Sequence, residues 1–258
     1  MPASAKNRVP PIILLYWVIK IASTTLGETG ADMFSMTFKL GYAETIGIFL
    51  ALFAGLLALK MAVRGYHPVV YWLTFTASAI VGTAISDFID RTLHLGYALG
   101  SLVLVALLGA ILLAWYKKER SVQVERIYTP GAELFYWLAF LVANTLGTAA
   151  GDFLADNLGL GFVRGAALLS GALLALALLH RFSQAPRVLL FWLAFVLTRP
   201  FGATFGDFLT KPTTQGGIEF GTVGSSIVFS MILVVAITRE MQLERRRTAT
   251  DAVTSPAA

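Results

Sequence analysis

Long apolar stretches recur along the whole chain and are separated by short polar segments. Because a helix needs about 20 apolar residues to cross a bilayer, each stretch is long enough for one crossing. Eight crossings are predicted, at approximately residues 12–35, 42–62, 69–91, 96–116, 133–156, 160–180, 187–209 and 219–238. The pattern therefore predicts an all-α, polytopic membrane protein with a single membrane domain.

The composition agrees with this pattern. Of the 258 residues, 57% are hydrophobic and 14% are charged, and the mean hydropathy is +0.73. This is more apolar side chain than a soluble domain of this size can bury. The first apolar stretch follows Lys6 and Arg8 but leads into further crossings, which argues against a cleaved signal peptide. The segment after Arg247, TATDAVTSPAA at residues 248–258, is predicted to form a disordered tail.

Basic residues are distributed unevenly between the two predicted sides of the membrane. Fourteen lie on one side: Lys6, Arg8, Lys60, Arg64, Lys117, Lys118, Arg120, Arg126, Arg181, Arg187, Arg239, Arg245, Arg246 and Arg247. The other side has Lys39, Arg91, Arg164 and Lys211. By the positive-inside rule, both termini are expected in the cytoplasm. Topology then accounts for the net charge of +5, and no nucleic-acid partner is expected.

One sequence pattern occurs four times. Each copy has a tryptophan preceded by an aromatic residue, a glycine ten residues later and an aspartate fifteen residues later. The three columns are Trp17, Trp72, Trp137 and Trp192; Gly27, Gly82, Gly147 and Gly202; and Asp32, Asp87, Asp152 and Asp207. The repeats are predicted at residues 12–64, 69–118, 133–182 and 187–240. Since each supplies two crossings, all four run in one direction, and pseudo-symmetry about the membrane normal is expected.

These columns resemble a family of bacterial inner-membrane proteins built from four tandem two-helix repeats of unknown function. The resemblance covers the chain from about Val9 to Glu240. It implies four parallel two-helix repeats in the inner membrane, and it implies no activity. The fourth copy departs from the pattern, with Arg199 and Pro200 in its first helix and the insertion KPTTQGG before its second.

The four aspartates are expected at a common depth, since each follows its tryptophan by about 22 Å at 1.5 Å per residue. Positions 7, 11 and 15 after the tryptophan form one helical stripe. The stripe contains Thr24, Glu28 and Asp32; Ala79, Thr83 and Asp87; Asn144, Thr148 and Asp152; and Arg199, Ala203 and Asp207. Small residues at positions 10 and 14 flank it. They predict that the four odd-numbered helices pack closely with their polar stripes facing inward.

The even-numbered helices follow the glycines Gly41, Gly96, Gly161 and Gly221, which are predicted to form tight turns. These helices are almost uniformly apolar and are expected to form an outer, lipid-facing layer. The four tryptophans are predicted to be anchors or packing residues at the cytoplasmic interface, where amphipathic rings are favoured.

The odd-numbered helices carry more acids than bases. Glu28 and the four aspartates oppose only Lys20 and Arg199, which leaves three negative charges if every group is ionised. A buried excess must be protonated, solvated or matched by a bound cation. Oxygen ligands favour manganese, magnesium or calcium over copper, and manganese is the first choice. The sequence therefore predicts a cation transporter, with a divalent metal such as manganese as the cargo.

Specific roles follow for the stripe residues. The predicted metal ligands are Asp32, Asp87, Asp152 and Asp207, with Glu28 and Asn144 as further cation-binding residues. Thr24, Thr83 and Thr148 are predicted to line the pathway. Lys20 and Arg199 are predicted to be counter-charges inside the membrane.

Two other functions stay open at this point. One is a membrane scaffold or sensor with a structural polar core, and the other is a transporter of a small organic solute whose carboxylate meets Arg199. No enzyme is expected, because no metalloprotease, nucleophile-elbow or phosphate-loop motif occurs. The chain has no cysteine, which excludes disulfides. No resident cofactor is expected, lipid and the transported cation are the expected partners, and a homo-oligomer is left open.

Overall fold

The computed structural model describes residues 8–63, 65–124 and 127–254. Within these residues the chain forms eight long helices and no strand, which confirms the all-α prediction. The helices are α1 (Leu14–Asp32), α2 (Tyr42–Ala62), α3 (Pro68–Asp87), α4 (Tyr97–Glu119), α5 (Pro130–Asp152), α6 (Gly161–Phe182), α7 (Arg187–Thr210) and α8 (Thr222–Thr254). Short π-helical turns, Met33–Thr37, Phe88–Thr92 and Phe153–Asn157, extend α1, α3 and α5.

Seven helices, α2 to α8, are long and apolar enough to cross a membrane. The chain is therefore a multi-pass membrane protein. Helix α1 is not among the seven, because its 19 residues include Lys20, Glu28 and Asp32. All three charged side chains are buried, so the polar surface of α1 faces protein.

The C-terminal segment differs from its prediction. Helix α8 continues to Thr254, so residues 248–254 are helical rather than disordered. No glycine or proline lies between Gly224 and Pro256 to interrupt the helix. Residues 255–258 lie outside the described residues, as do the basic residues Lys6, Arg64 and Arg126.

The four odd-numbered helices form a closed ring at the centre of the protein. Helix α1 contacts α3, α3 contacts α5, α5 contacts α7, and α7 contacts α1. Each even-numbered helix packs on the odd-numbered helix of the next repeat: α2 on α3, α4 on α5, α6 on α7, and α8 on α1. The second helix of each repeat thus packs on the first helix of the next repeat, and α8 packs on α1 in the same way. Helices α2, α4 and α6 are mostly exposed, whereas α3 and α5 are mostly buried.

The glycine column allows the ring helices to approach closely. A Cβ atom added to any of these four glycines would come within 2.7 Å of a side-chain atom on the next helix of the ring. In each case the neighbour is the residue seven positions after the next tryptophan. The pairs are Gly27 with Ala79, Gly82 with Asn144, Gly147 with Arg199, and Gly202 with Thr24. One contact therefore repeats around the whole ring, as small residues permit between helices in lipid.

The turns before the even-numbered helices require glycine. Gly41, Gly96, Gly161 and Gly221 all have φ between +66° and +83°. Residues with a Cβ atom rarely adopt this conformation. The predicted turn role of these glycines is confirmed.

Aromatic side chains pack tightly at the end of the ring that carries the tryptophans, the tryptophan end. Trp72 and Trp137 are fully buried, while Trp17 and Trp192 are half-buried. The indole Nε1 of Trp72 donates to Oε2 of Glu240 at 2.6 Å, which joins α3 to α8. The predicted packing role is therefore confirmed for the two buried rings.

A buried ion-pair cluster fixes the same end of the protein. Glu133, in the first turn of α5, accepts a hydrogen bond from Lys60 Nζ at 2.8 Å, and Lys60 belongs to the last turn of α2. The other carboxylate oxygen pairs with Arg8. Arg8 also donates to the carbonyl of Met61 at 2.8 Å. These contacts join α2, α5 and the segment before α1.

Replacing Gly82 by alanine is expected to destabilise the ring. The added methyl group would lie 2.7 Å from Cβ of Asn144 and 2.9 Å from the backbone nitrogen of Thr145. Overpacking of this kind costs about 1–3 kcal/mol. We expect a lower thermal unfolding midpoint for Gly82→Ala in detergent. Gly109→Ala is the matched control, because no atom of the described residues lies within 4 Å of its added Cβ. Equal midpoints for the two variants would contradict the close packing.

Candidate functional site

Five positions of each repeat share one face of the odd-numbered helices, spaced four residues apart. They stand one residue before the tryptophan and three, seven, eleven and fifteen residues after it. All twenty side chains are buried. We name the five sets by their distinctive member: the tyrosine layer (Tyr16, Tyr71, Tyr136, Phe191), the lysine layer (Lys20, Phe75, Phe140, Phe195), the arginine layer (Thr24, Ala79, Asn144, Arg199), the glutamate layer (Glu28, Thr83, Thr148, Ala203) and the aspartate layer (Asp32, Asp87, Asp152, Asp207).

Arg199 occupies the middle of this column. Its Nη1 lies 3.4 Å from Oε2 of Glu28 and donates to the carbonyl of Thr24 at 3.1 Å. Its Nη2 donates to Thr148 Oγ1 at 2.8 Å and also bonds Thr83 Oγ1. One guanidinium group thereby joins all four helices of the ring. A charged group that is paired and hydrogen-bonded in this way can be buried.

Glu28 is bound by the same set of residues. Its Oε2 accepts hydrogen bonds from Thr83 Oγ1 at 3.2 Å and from Thr148 Oγ1 at 3.4 Å, in addition to the contact with Arg199. The stem of Arg199 occupies the space that a side chain at position 147 would fill. An added Cβ at Gly147 would overlap both Cβ and Cγ of Arg199. The glycine column therefore makes room for the arginine.

Two basic residues from the turns beyond the odd-numbered helices reach the aspartate layer. Lys211 Nζ lies 2.8 Å from Oδ2 of Asp32 and 3.1 Å from Oδ1 of Asp207, so its ammonium group bridges α1 and α7. Arg91 Nε lies 3.2 Å from Oδ1 of Asp87. Three of the four carboxylates of the aspartate layer thus pair with positive charge at the end of the ring opposite the tryptophans, the aspartate end.

Lys211 remains charged in this setting. Burial lowers the pKa of Lys211, but the carboxylates of Asp207 and Asp32 raise it by more, so the pKa lies above the ordinary lysine value. At neutral pH the lysine is therefore a cation held between two acids.

Asp152 differs from the other three aspartates. It is 3% exposed, and its Oδ2 has no hydrogen-bond partner among the described residues, which is also true of oxygens of Asp87 and Asp207. Unlike the other three aspartates, however, Asp152 forms no ion pair within the part of the chain that the structure describes. It lies within electrostatic range of three acids and of one base: Asp207, Asp87, Glu28 and Arg91. A buried carboxylate without a partner is costly unless it binds a proton or another cation.

Three acids lie close enough together to share one metal ion. One oxygen each from Glu28, Asp32 and Asp207 lies within 4.8 Å of the other two. The structure therefore brings two of the predicted metal ligands together with Glu28. It does not bring Asp87 and Asp152 into this trio, although both belong to the same layer.

The layers toward the tryptophan end are tightly packed. Lys20 Nζ lies 3.8 Å from the ring centroid of Phe195, donates to the Phe195 carbonyl at 2.8 Å and bonds Thr198 Oγ1. Phe140 packs on Phe195 at a centroid distance of 4.3 Å. In the next layer the hydroxyl groups of Tyr71 and Tyr136 are hydrogen-bonded to each other. Aromatic rings thus fill the axis on that side of Arg199.

Two further predicted residues lie away from the acids. Asn144 Nδ2 donates to Ser78 Oγ at 3.0 Å, two turns from the aspartate of its own helix. The Thr24 hydroxyl donates to the carbonyl of Ile21 at 2.9 Å. The structure places neither side chain with the carboxylates.

A family model described as a repeat of unknown function, DUF347, matches residues 15–66, 70–121, 135–185 and 190–245. The chain belongs to the DUF347 family. The four matched segments confirm the resemblance inferred from the sequence. No curated protein and no solved structure matches the chain.

The charge count in this DUF347 protein differs from the one expected from sequence. The distribution of basic residues places Arg91 and Lys211 on one side of the membrane and outside the stripes, whereas in the structure their side chains pair with the aspartate layer. They reduce the predicted excess of three negative charges to one. Both stand four residues after a stripe aspartate, so extending the stripe by one helical turn would have found them.

Breaking the Glu28–Arg199 pair should cost stability in a coupled manner. Removing one partner of a buried pair costs about 3–5 kcal/mol, because the other charge stays buried and uncompensated. We expect Glu28→Met and Arg199→Met each to lower the free energy of unfolding, and the double variant to lose much less than the sum. Unfolding of purified protein in detergent measures these values.

The exposed Arg247–Glu244 pair supplies the control for this double-mutant cycle. Arg247→Gln should change stability by less than about 1 kcal/mol, as is usual for surface pairs. Strictly additive losses from the two single changes at the axis would refute the coupling.

Proposed function

We propose that this DUF347 protein is a membrane transporter of a cation, with a divalent metal such as manganese as the cargo. The observation that carries the proposal is the buried carboxylate of Asp152, which forms no ion pair among the described residues and lies within electrostatic range of three further acids. After Arg91 and Lys211 are counted, one negative charge in the column still has no counter-charge among the described residues. A bound cation or proton would compensate it.

The ligand chemistry supports a hard divalent ion. Glu28, Asp32 and Asp207 offer carboxylate oxygens within 4.8 Å of one another. Oxygen donors suit manganese, magnesium and calcium. We propose that the trio and Asp152 together bind the cation, with Asp87 adding negative charge to the same layer.

We propose that all eight helices cross the membrane, with both termini in the cytoplasm of a bacterial cell. The 19 residues of α1 span about 28 Å at 1.5 Å per residue, close to the thickness of a bilayer core. Its charged residues face α3 and α7 rather than lipid, so its low hydropathy is compatible with a crossing. The glycine contact that recurs around the ring supports pseudo-symmetry about the membrane normal.

Thr83 and Thr148 occupy the part of the proposed pathway between the aspartate layer and Arg199. A cation moving past them must displace the guanidinium group of Arg199 from Glu28. We propose that Arg199 and Lys20 act as internal counter-charges, and that the packed phenylalanines and tyrosines close the tryptophan end. In this conformation a cation would then reach the acids from the aspartate end alone.

The alternative functions fit the contacts less well. A scaffold with a purely structural core accounts for the Glu28–Arg199 network, but it leaves the unpartnered Asp152 oxygen unexplained. An organic acid bound by Arg199 would have to replace contacts that both Nη atoms already make inside the protein.

Transport should depend on Asp152. Purified protein in liposomes is expected to take up Mn²⁺, and Asp152→Asn should reduce the rate at least about ten-fold, because the amide removes an anionic ligand. Asp156→Asn is the matched control, since Asp156 is an exposed acid one helical turn further along. It should keep at least about half of the rate, because surface charges are screened.

Two results of this flux assay would contradict the proposal. The first is the absence of flux for manganese, magnesium and calcium alike. The second is a rate in Asp152→Asn equal to that of the unchanged protein, which would favour the scaffold. Competition by organic acids, abolished in Arg199→Leu, would favour the organic-solute alternative.

The proposed eight crossings place both termini on one side. Green fluorescent protein fused before residue 8 should fluoresce, because it matures in the cytoplasm. Alkaline phosphatase should be active when fused after Gln215 and inactive after Ser183 or Arg247, as the bias of basic residues predicts. A dark amino-terminal fusion combined with an inactive phosphatase after Arg247 would show that only seven helices cross.

A further inference from the structure

Lys211 stands at the place where the proposed cation would bind. Its ammonium nitrogen lies 2.8 Å from Asp32 Oδ2 and 3.1 Å from Asp207 Oδ1, and Asp32 and Asp207 belong to the trio completed by Glu28. A divalent cation binds carboxylate oxygens at about 2.0–2.6 Å. It would have to enter the space between these oxygens, which the ammonium group now fills.

A segment found in the fourth repeat alone holds Lys211 in position. Helix α7 ends at Thr210, without the π-helical turn that extends α1, α3 and α5. The chain then folds back on itself: Glu219 N donates to the Lys211 carbonyl at 3.1 Å, and Ile218 N donates to the Phe208 carbonyl at 2.8 Å. We call residues 212–220 the strap.

The strap is closely fitted to Lys211. A Cβ atom added to Gly217 would overlap the Lys211 carbonyl oxygen. The KPTTQGG insertion, which sets the fourth repeat apart, therefore has a structural role at the acid cluster. The side chain of Lys211 is 16% exposed. It can therefore move away from the acids toward the aspartate end without unfolding of the ring.

Arg91 is not equivalent to Lys211, although it stands at the same position of the second repeat. Arg91 pairs with Asp87 of its own helix. Lys211 instead bridges Asp32 and Asp207 from two different helices. Among the basic residues of the described chain, Lys211 contacts Asp32 and Asp207 of the trio, whereas Arg199 contacts the third member, Glu28.

We propose that Lys211 is a tethered cation that occupies the cation-binding position of the Glu28, Asp32 and Asp207 trio, and that a divalent cation binds there by displacing it. This inference rests on the proposed function, because it concerns the same acids. The unpartnered and buried Asp152 in the same layer supplies the further negative charge that a divalent ion needs in place of a single ammonium group.

Removing the tethered charge should strengthen metal binding. In detergent-purified protein, Lys211→Met should bind Mn²⁺ about ten-fold more tightly, or better, measured as loss of the free Mn²⁺ signal by electron paramagnetic resonance. Lys39→Met, an exposed lysine near the same end of α1, is the matched control and should not change the affinity. Lys211→Arg keeps the charge and should bind no more tightly than the unchanged protein.

The gain should vanish when the trio is damaged. Glu28→Gln in the Lys211→Met background should return the affinity to that of the unchanged protein or below. Folded Lys211→Met protein with unchanged or weaker Mn²⁺ binding overturns the inference, and so does a gain that survives Glu28→Gln.

A second measurement keeps the inference testable if Lys211→Met does not fold. In the unchanged protein, Mn²⁺ should increase the rate at which a small amine-specific reagent modifies Lys211, detected by mass spectrometry, and should leave Lys39 unaffected. A Lys211 rate that does not respond to Mn²⁺ overturns displacement. Metal flux without these effects would refute the displacement of Lys211 and leave the transport proposal standing. These effects without metal flux would refute transport and leave the displacement of Lys211 standing.

Discussion

The close approach of four helices through a column of glycines is the constraint on which the rest of this structure depends. Each glycine lies against the residue seven positions after the next tryptophan, and the contact closes from α7 back to α1. Because neighbouring backbones meet there, the adjoining stripe has to point to the common axis. Polar side chains on that stripe are thereby removed from lipid, where each would be costly. The ring also determines where the outer helices pack, since each one covers the outer surface of the odd-numbered helix of the next repeat.

Charge on the axis is ordered along its length. Lys20 and Arg199 lie toward the tryptophan end, then come Glu28 and the four aspartates, and Arg91 and Lys211 lie at the aspartate end. Acids between two groups of bases are attracted from both sides, which lowers the cost of burying them. At the aspartate end the partly exposed Lys211 covers Asp32 and Asp207, whereas aromatic rings fill the axis on the opposite side.

Much of this arrangement could be predicted from sequence, for definite physical reasons. The stripe, the glycine column and the turn glycines repeat at fixed spacing, and spacing determines which residues share a helical face. The pairing of Arg91 and Lys211 with the aspartates is not predicted, because the distribution of basic residues gives only their side of the membrane, whereas the helical path carries them one turn further along the axis. Nor could the sequence tell that α2 packs on α3 of the next repeat, since its uniformly apolar surface has no preferred face. The placement of Asn144 beside Ser78, away from the acids, likewise depends on a neighbouring helix.

Fusion of the four repeats into one chain allows an axis that a symmetric tetramer cannot build. In a tetramer of identical repeats every axial position would occur four times, so one arginine would become four and would repel strongly at the centre. Here a single Arg199 faces a single Glu28 and two threonines, and a single Lys211 bridges two aspartates. Among the charged positions, only the aspartate is present in all four repeats. The aspartates lie at the end of the ring where two bases from the following turns can reach them. The copies that diverge most, the first with Lys20 and Glu28 and the fourth with Arg199 and the strap, are neighbours in the ring because α7 packs on α1. Opposite charges that arose in distant parts of the sequence thus lie on adjacent helices, and the ring closure is what brings them into contact.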